Sequence, residues 1–85
     1  MTKHDPALRM IDSAKRHGVT LADAIYVIEH ARQRIVLRDD PEKLLHIGFD
    51  TLGRPREVIT DTWRDDSRVI IHADTLTPSY RRYLC

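Results

Sequence analysis

The sequence predicts an α+β fold, with two N-terminal helices packed on a three- to four-stranded antiparallel sheet and a short C-terminal helix. Three observations lead to this prediction. Apolar residues recur at helical spacing in the first third of the chain, short β-prone runs separated by turn residues fill the middle, and Thr77-Pro78 gives a helix-start signal near the end. Helices followed by a run of strands are typical of an α+β domain. The chain, residues 1–85, is too short for a second core and is expected to form a single domain.

Two helices are predicted before residue 32. Asp5-Pro6 is a cap-plus-proline helix start, and Gly18 ends the helix that follows it. Thr20, with Asp23 three residues later, resembles a capping box and starts the second helix. The apolar positions of the two helices are Leu8, Ile11 and Ala14 in the first, and Leu21, Ala24, Ile25, Ile28 and Ala31 in the second.

Four strands are predicted next, near residues 34–38, 43–50, 56–63 and 68–73, because runs of β-branched and aromatic residues alternate with turn clusters. The short turns between them indicate an antiparallel meander. A last short helix is predicted over 79–84. The predicted sheet core comprises Leu45, Ile47, Phe49, Val58, Val69 and Ile71, with Ile25 and Ile28 facing it.

Composition excludes several classes of protein. A formal net charge of +1 argues against a strongly basic nucleic-acid-binding tail, and Cys85, the single cysteine, cannot form a disulfide framework. We expect a cytoplasmic protein because neither a signal peptide nor a membrane span is visible. Phosphate-binding glycine loops and metal-ligand spacings are also missing, so no cofactor and no metal are expected. A core this small favours a homodimer or a complex with a partner.

Residues suited to RNA chemistry gather in the last third of the chain. Cleaving RNA without a metal requires proton transfer to and from oxygen and cations that stabilise a negative phosphorane, and His, Tyr and Arg supply both. We predict His72, Tyr80 and Arg68 as catalytic, with Arg68 and His72 on one face of a strand because residues i and i+4 share a side. The predicted RNA-binding residues are Arg54, Arg56, Arg64, Arg81, Arg82 and Tyr83.

Each of these residues also has a structural interpretation. A strand-borne His72 can serve as a hydrogen-bonded structural residue. Tyr80 and Tyr83, three residues apart, can dock the last helix on the sheet. Arg81 and Arg82 lie near a helix C-terminus, where the helix dipole favours cations whatever the function.

Three segments resemble motifs of one family. Arg16-His-Gly-Val19, before an acidic, alanine-bearing helix, resembles the K-H-G-V-[ST]-x-x-[DE]-A segment of BrnT-type toxins of bacterial toxin–antitoxin systems. Leu45-His-Ile-Gly48 with Gly53-Arg54 resembles the I-G-x-[DT]-x-x-G-R hairpin of that family. Val69-Ile-Ile-His-Ala73 through Pro78-Ser-Tyr-Arg-Arg-Tyr-Leu84 is similar to the V-I-H-A-x-x-x-x-P-x-[YF]-R-x-L ending of short actinobacterial BrnT-like proteins.

The resemblance, which spans residues 16–84, implies a RelE-superfamily endoribonuclease toxin held inactive by a ribbon-helix-helix antitoxin. The family also shows two features that differ here. BrnT-like proteins begin with a strand of the type F-x-W-D, whereas this chain has a helix-start signal, so we expect that strand to be absent. Their last strand ends in S-A-R, whereas Asp74 follows Ala73 here and would repel phosphate if it faced the same groove.

Two functions follow from these residues. The first is an RNA-cleaving toxin with RNA and an antitoxin as partners. The second is a non-catalytic protein-binding or regulatory module of the same fold, which the near-neutral charge and Asp74 favour. A small enzyme outside nucleic-acid chemistry is a third, weaker alternative, for which no sequence feature argues.

Overall fold

A five-stranded mixed sheet forms the centre of the protein, in a computed structural model that describes residues 8–84. The spatial order of the strands is β1-β5-β4-β3-β2. In chain order the strands are β1 Arg9–Met10, β2 Gln33–Arg38, β3 Lys43–Phe49, β4 Pro55–Thr62 and β5 Arg68–Thr75. Helical segments are a 3₁₀ turn at Asp12–Lys15, the helix α1 at Leu21–Glu29, and a C-terminal 3₁₀ helix at Pro78–Leu84. Within residues 8–84, no helix is long and apolar enough to cross a membrane.

The predicted fold class is wrong. The sheet has five strands instead of three or four, and β1 pairs with β5 in parallel, so the sheet is mixed. Only one α-helix is present in the described part of the chain, and it follows the first strand. The predicted helix start at Asp5-Pro6 lies outside the described residues.

The segment predicted as the first helix adopts two other structures. Arg9–Met10 joins the sheet as β1, and the N–H of Ile11 donates to the carbonyl of Ile70 at 3.1 Å. Asp12–Lys15 then forms the 3₁₀ turn, which buries Ala14. The expected absence of a strand before the first helix is therefore wrong, because tertiary pairing with β5 overrides the local helical pattern.

Helix α1 confirms the second predicted helix. The hydroxyl of Thr20 accepts a hydrogen bond from the N–H of Asp23 at 3.1 Å, as a capping residue should. At the other end, the guanidinium of Arg34 on β2 donates to the carbonyl of Ile28 at 2.8 Å. This contact satisfies one of the free carbonyls at the helix C-terminus and ties the helix to the outer strand.

Strands β2 to β5 form the antiparallel part of the sheet, and each overlaps one of the four segments predicted as strands. The carboxylate of Asp50 organises the β3–β4 turn by accepting the N–H groups of Leu52 and Arg54, both at 2.9 Å. Gly53 completes that turn with φ +78°, a conformation that favours glycine.

The sheet buries apolar residues on both faces. We call the face covered by α1 and the 3₁₀ turn the helix face; there, Val58, Ile70 and Ala73 pack with Ala24 and Val27 of α1. We call the opposite face the tail face, since the C-terminal 3₁₀ helix covers it. Its buried residues are Leu45, Ile47 and Leu76, with Ile35, Ile59, Tyr80, Tyr83 and Leu84 packed against them.

The predicted core is correct in part. Leu45, Ile47, Val58 and Val69 are buried, whereas Phe49 and Ile71 are half-buried. The prediction that Leu45 and Ile47 face α1 is wrong. They pack under the C-terminal 3₁₀ helix, on the other side of the sheet. The side of β3 that α1 covers carries His46 and Gly48. Gly48 lets the turn after α1 come close, because a Cβ at that position would lie 3.4 Å from the Cα of Ala31.

Candidate functional site

A carboxylate–imidazole pair links β4 and β5 on the tail face. The Nε2 atom of His72 lies 2.8 Å from Oε2 of Glu57, and Oε1 of Glu57 accepts the N–H of Thr77 at 2.7 Å. The Glu57 side chain is 9% exposed and that of His72 is 31% exposed. A carboxylate only accepts, so the proton of a neutral His72 ring sits on Nε2. Nδ1, which forms no hydrogen bond within residues 8–84, is then free to accept a proton.

A β-bulge sets the direction of His72. On β5, Ile70 pairs with Thr60 and His72 pairs with Ile59, so Ile71 is an extra residue in the ladder. An inserted residue reverses the alternation of side chains beyond it. His72 therefore shares the tail face with Ile59 and, two residues before Ile59, with Glu57.

The bulge separates Arg68 from His72. Arg68 precedes it and pairs with Thr62, whose side chain belongs to the helix face. The prediction that Arg68 and His72 share a face is wrong, because simple alternation does not hold across the extra residue Ile71. The protein does not bring these two predicted catalytic side chains to one phosphate.

His17 and Asp74 lie beside His72. The ring centroids of His17 and His72 are 6.1 Å apart, in an edge-on arrangement, and Nδ1 of His17 lies 3.6 Å from a carboxylate oxygen of Asp74. Each imidazole of the pair is thus associated with its own carboxylate. We name Glu57, His72, His17 and Asp74 the imidazole cluster.

Two of the predicted RNA-binding arginines are bound to Asp50 at the same end of the sheet. The Nε atoms of Arg54 and Arg56 donate to Oδ2 of Asp50 at 2.8 and 3.0 Å. Burial alone would raise the pKa of Asp50, but hydrogen bonds from the Arg54 N–H, the Arg56 guanidinium and neighbouring groups hold it well below its usual range. The Arg54 side chain remains 53% exposed, whereas that of Arg56 is 11% exposed.

The other predicted residues lie elsewhere. Tyr80 and Tyr83 are half-buried against the Leu45–Ile47–Leu76 cluster, which agrees with their structural interpretation. Arg82 lies 4.7 Å over the ring of Tyr83 and donates to the carbonyl of Ser79, and Arg81 is exposed. Arg64 lies in the β4–β5 turn, at the opposite end of the sheet from the imidazole cluster.

Sequence reasoning missed Glu57, His17 and the role of Asp74. Glu57 had a recognisable signal, because in the predicted strand 56–63 it alternates onto the side of Ile59. A carboxylate on an apolar side is seldom buried without a partner. No sequence signal pointed to His17, since its position beside β5 depends on the parallel pairing of β1.

Comparisons of the chain with protein-family models, with curated proteins and with solved structures gave no match. Function is therefore inferred from the residues of this chain.

Proposed function

We propose that the protein is an endoribonuclease that needs no metal ion, and that it acts as the toxin of a cytoplasmic toxin–antitoxin pair neutralised by a ribbon-helix-helix partner. The observation that carries the proposal is the Glu57–His72 pair, in which a buried carboxylate orients a partly exposed imidazole at 2.8 Å. The partner and the biological role rest on the BrnT-like motifs alone.

The imidazole cluster can supply both proton transfers of RNA cleavage. Nδ1 of His72 accepts the proton of a ribose 2′-hydroxyl, and the resulting oxyanion attacks the adjacent phosphorus. The bond from phosphorus to the 5′-oxygen breaks, and protonated His17 donates a proton to that leaving oxygen. The products are a 2′,3′-cyclic phosphate and a 5′-hydroxyl end. Glu57 stabilises the imidazolium that forms on His72, and the exposed guanidinium of Arg54 contributes positive charge at this end of the sheet.

Purified protein incubated with labelled RNA in the presence of a chelator tests this proposal. We expect cleavage that leaves cyclic phosphate ends. His72→Ala should lower the rate by about 10²–10⁴, the usual contribution of a general acid or base. Glu57→Gln should also slow the reaction, whereas Glu29→Gln, which makes the same change at an exposed position of α1, should not.

Two results would refute catalysis: intact RNA at every concentration of wild-type protein, or undiminished cleavage by a folded His72→Ala variant. The antitoxin component is tested separately. Expression of the chain alone should arrest growth, and co-expression of a ribbon-helix-helix protein encoded beside it should relieve the arrest.

A non-catalytic binding module is the second candidate. The observation that favours it is the outer strand β2, where Val36 and Leu37 are 55% and 47% exposed. Exposed apolar side chains on a sheet edge are typical of protein interfaces. Stoichiometric binding of a partner by a chain that leaves RNA uncut would favour this function.

A further inference from the structure

A cleft separate from the imidazole cluster lies where α1 ends and β3 ends. Its volume is about 400 Å³, within the range of small-molecule sites. Among residues 8–84, the side chains that line it are Tyr26, His30, Ala31, Arg32 and Phe49, none of which is acidic.

Planar groups form two close pairs in this cleft. The rings of Tyr26 and His30 are parallel to within 24°, with centroids 4.2 Å apart, and the guanidinium of Arg32 lies 5.3 Å from the centroid of Phe49. Tyr26 is 36% exposed, and His30 and Arg32 are also exposed. Exposed aromatic and guanidinium planes are surfaces on which an unpaired nucleobase stacks.

The polar atoms of the cleft are suited to an anion. Nδ1 of His30 lies 3.0 Å from the carbonyl of Tyr26, so Nδ1 carries a proton, and in the imidazolium form the N–H at Nε2 donates to a phosphate oxygen. The guanidinium of Arg32 can donate to phosphate oxygens in a bidentate manner. The backbone N–H of Arg32 donates to the carbonyl of Ile47 at 2.8 Å, which fixes this residue at the end of β3.

We infer that this cleft binds one nucleotide of single-stranded RNA, with the base stacked on Tyr26 or Phe49 and the phosphate held by Arg32 and His30. The inference rests on the proposed ribonuclease function and adds a substrate subsite to it. The position suits an extended substrate, since Ile47 pairs with Glu57 and Phe49 lies two residues further along β3. The Cα atoms of Phe49 and Glu57 are therefore about 8 Å apart, from one strand spacing and two residue rises.

Fluorescence anisotropy with a labelled 2′-O-methyl RNA of about ten nucleotides tests this subsite, because that RNA cannot be cleaved through its 2′-hydroxyl. Tyr26→Leu, which keeps an apolar side chain and removes the ring, should weaken binding about 5- to 100-fold, as expected for one stacked base. Arg32→Gln should weaken binding and reduce the slope of log affinity against log salt by about 0.7, the value for one phosphate contact in a single strand.

Arg9→Gln is the matched control, because it removes the same charge from an exposed residue at the opposite edge of the sheet; it should change the affinity less than twofold if the contact is local. Circular dichroism checks that each variant folds. The inference is overturned if wild type does not bind this RNA, or if the cleft variants bind like wild type.

The subsite and the ribonuclease can fail independently. RNA that is bound through Tyr26 and Arg32 but never cut would leave the subsite standing and refute catalysis. RNA that is cut by the Tyr26→Leu and Arg32→Gln variants at the wild-type rate and affinity would refute the subsite alone.

Discussion

His46 is a buried imidazole between two arginines on the helix face of the sheet. Its Nε2 lies 2.9 Å from the hydroxyl of Thr60, and its Nδ1 is buried without a hydrogen-bond partner within residues 8–84. Burial, followed by the charges of Arg68 and Arg34, lowers the pKa of His46 from 6.5 to about 4. Protonating this ring would place a positive charge in the core beside those of Arg68 and Arg34.

This pKa predicts a loss of stability in mild acid. The unfolded chain takes up a proton at His46 near pH 6.5 and the folded chain only near pH 4, so the free energy of unfolding falls as the pH drops through that window. At the lower end of this pH window, the free energy of unfolding has fallen by on the order of 3 kcal/mol. Urea unfolding from pH 7.5 to 4.5 measures it. His46→Gln should flatten the profile, and His30→Gln, at an exposed histidine, should keep it; equal slopes in wild type and His46→Gln would contradict the prediction.

At the scale of the element, the β3–β4 hairpin depends on the buried carboxylate of Asp50. Its side chain is fully buried and accepts hydrogen bonds from two backbone N–H groups and two guanidinium groups. Arg54 and Arg56, which the sequence suggested as RNA contacts, therefore also hold the turn together. The sequence alone could not predict this role, because only the folded turn brings both arginines to the same acceptor, Asp50.

We predict that Asp50→Asn destabilises the protein by about 3–5 kcal/mol, since it removes one charge of a buried ion pair and turns an amide N–H₂ towards the guanidinium groups. The lowered pKa of Asp50 means that its stabilising effect is complete at neutral pH and is lost only below about pH 4, the range in which an ordinary carboxyl titrates. Chemical denaturation at pH 7 gives the difference. Asp39→Asn, in the exposed β2–β3 turn, is the control and should be nearly neutral.

The elements differ in how well their sequences predict them. Helix α1 was predictable because Thr20 and the apolar stripe are local signals, and β2 to β5 because β-prone runs alternate with turns. Strand β1 was not, since two residues show no alternation and their pairing partner on β5 lies about sixty residues away along the chain. The bulge at Ile71 was not predictable from the sequence either. Because of it, the His72 side chain lies on the same face of the sheet as Glu57 and not on that of Arg68.

For the whole molecule, the sequence left open which face of the sheet meets α1. Alternation on β3 places Leu45 and Ile47 on one side and His46 and Gly48 on the other, and it predicts that the apolar side packs against the helix. In the structure, α1 packs against the side of β3 that carries His46 and Gly48. Gly48 lets the chain after α1 approach the strand, and Leu45 and Ile47 are covered by the tail instead. When both faces of a sheet are covered, the pattern of apolar and polar residues on a strand does not determine which face the helix covers and which face the C-terminal segment covers.

The two edges of the sheet differ in how they are closed, which leads to a prediction about assembly. Within residues 8–84, the β5 side is extended only by the two residues of β1, and β2 leaves a six-residue edge with Val36 and Leu37 exposed. A bulge near the end of β2 and its arginines limit open-ended pairing, the usual protection of an edge strand. A domain of this size also gains stability by burying more apolar surface. We therefore expect two copies to pair through β2, as a closed dimer.

Analytical ultracentrifugation over a range of concentrations measures this assembly. Wild type should associate reversibly, and Val36→Lys should weaken the association at least about tenfold, because burying an unpaired ammonium costs more than the 1.4 kcal/mol that a tenfold change represents. Leu52→Lys is the matched control, since Leu52 is 74% exposed at the tip of the β3–β4 turn, away from β2. A wild-type monomer at every concentration, or equal effects of the two lysines, would show that β2 is not the dimer interface. In that case its exposed residues would be free for a different partner, as the second candidate function requires.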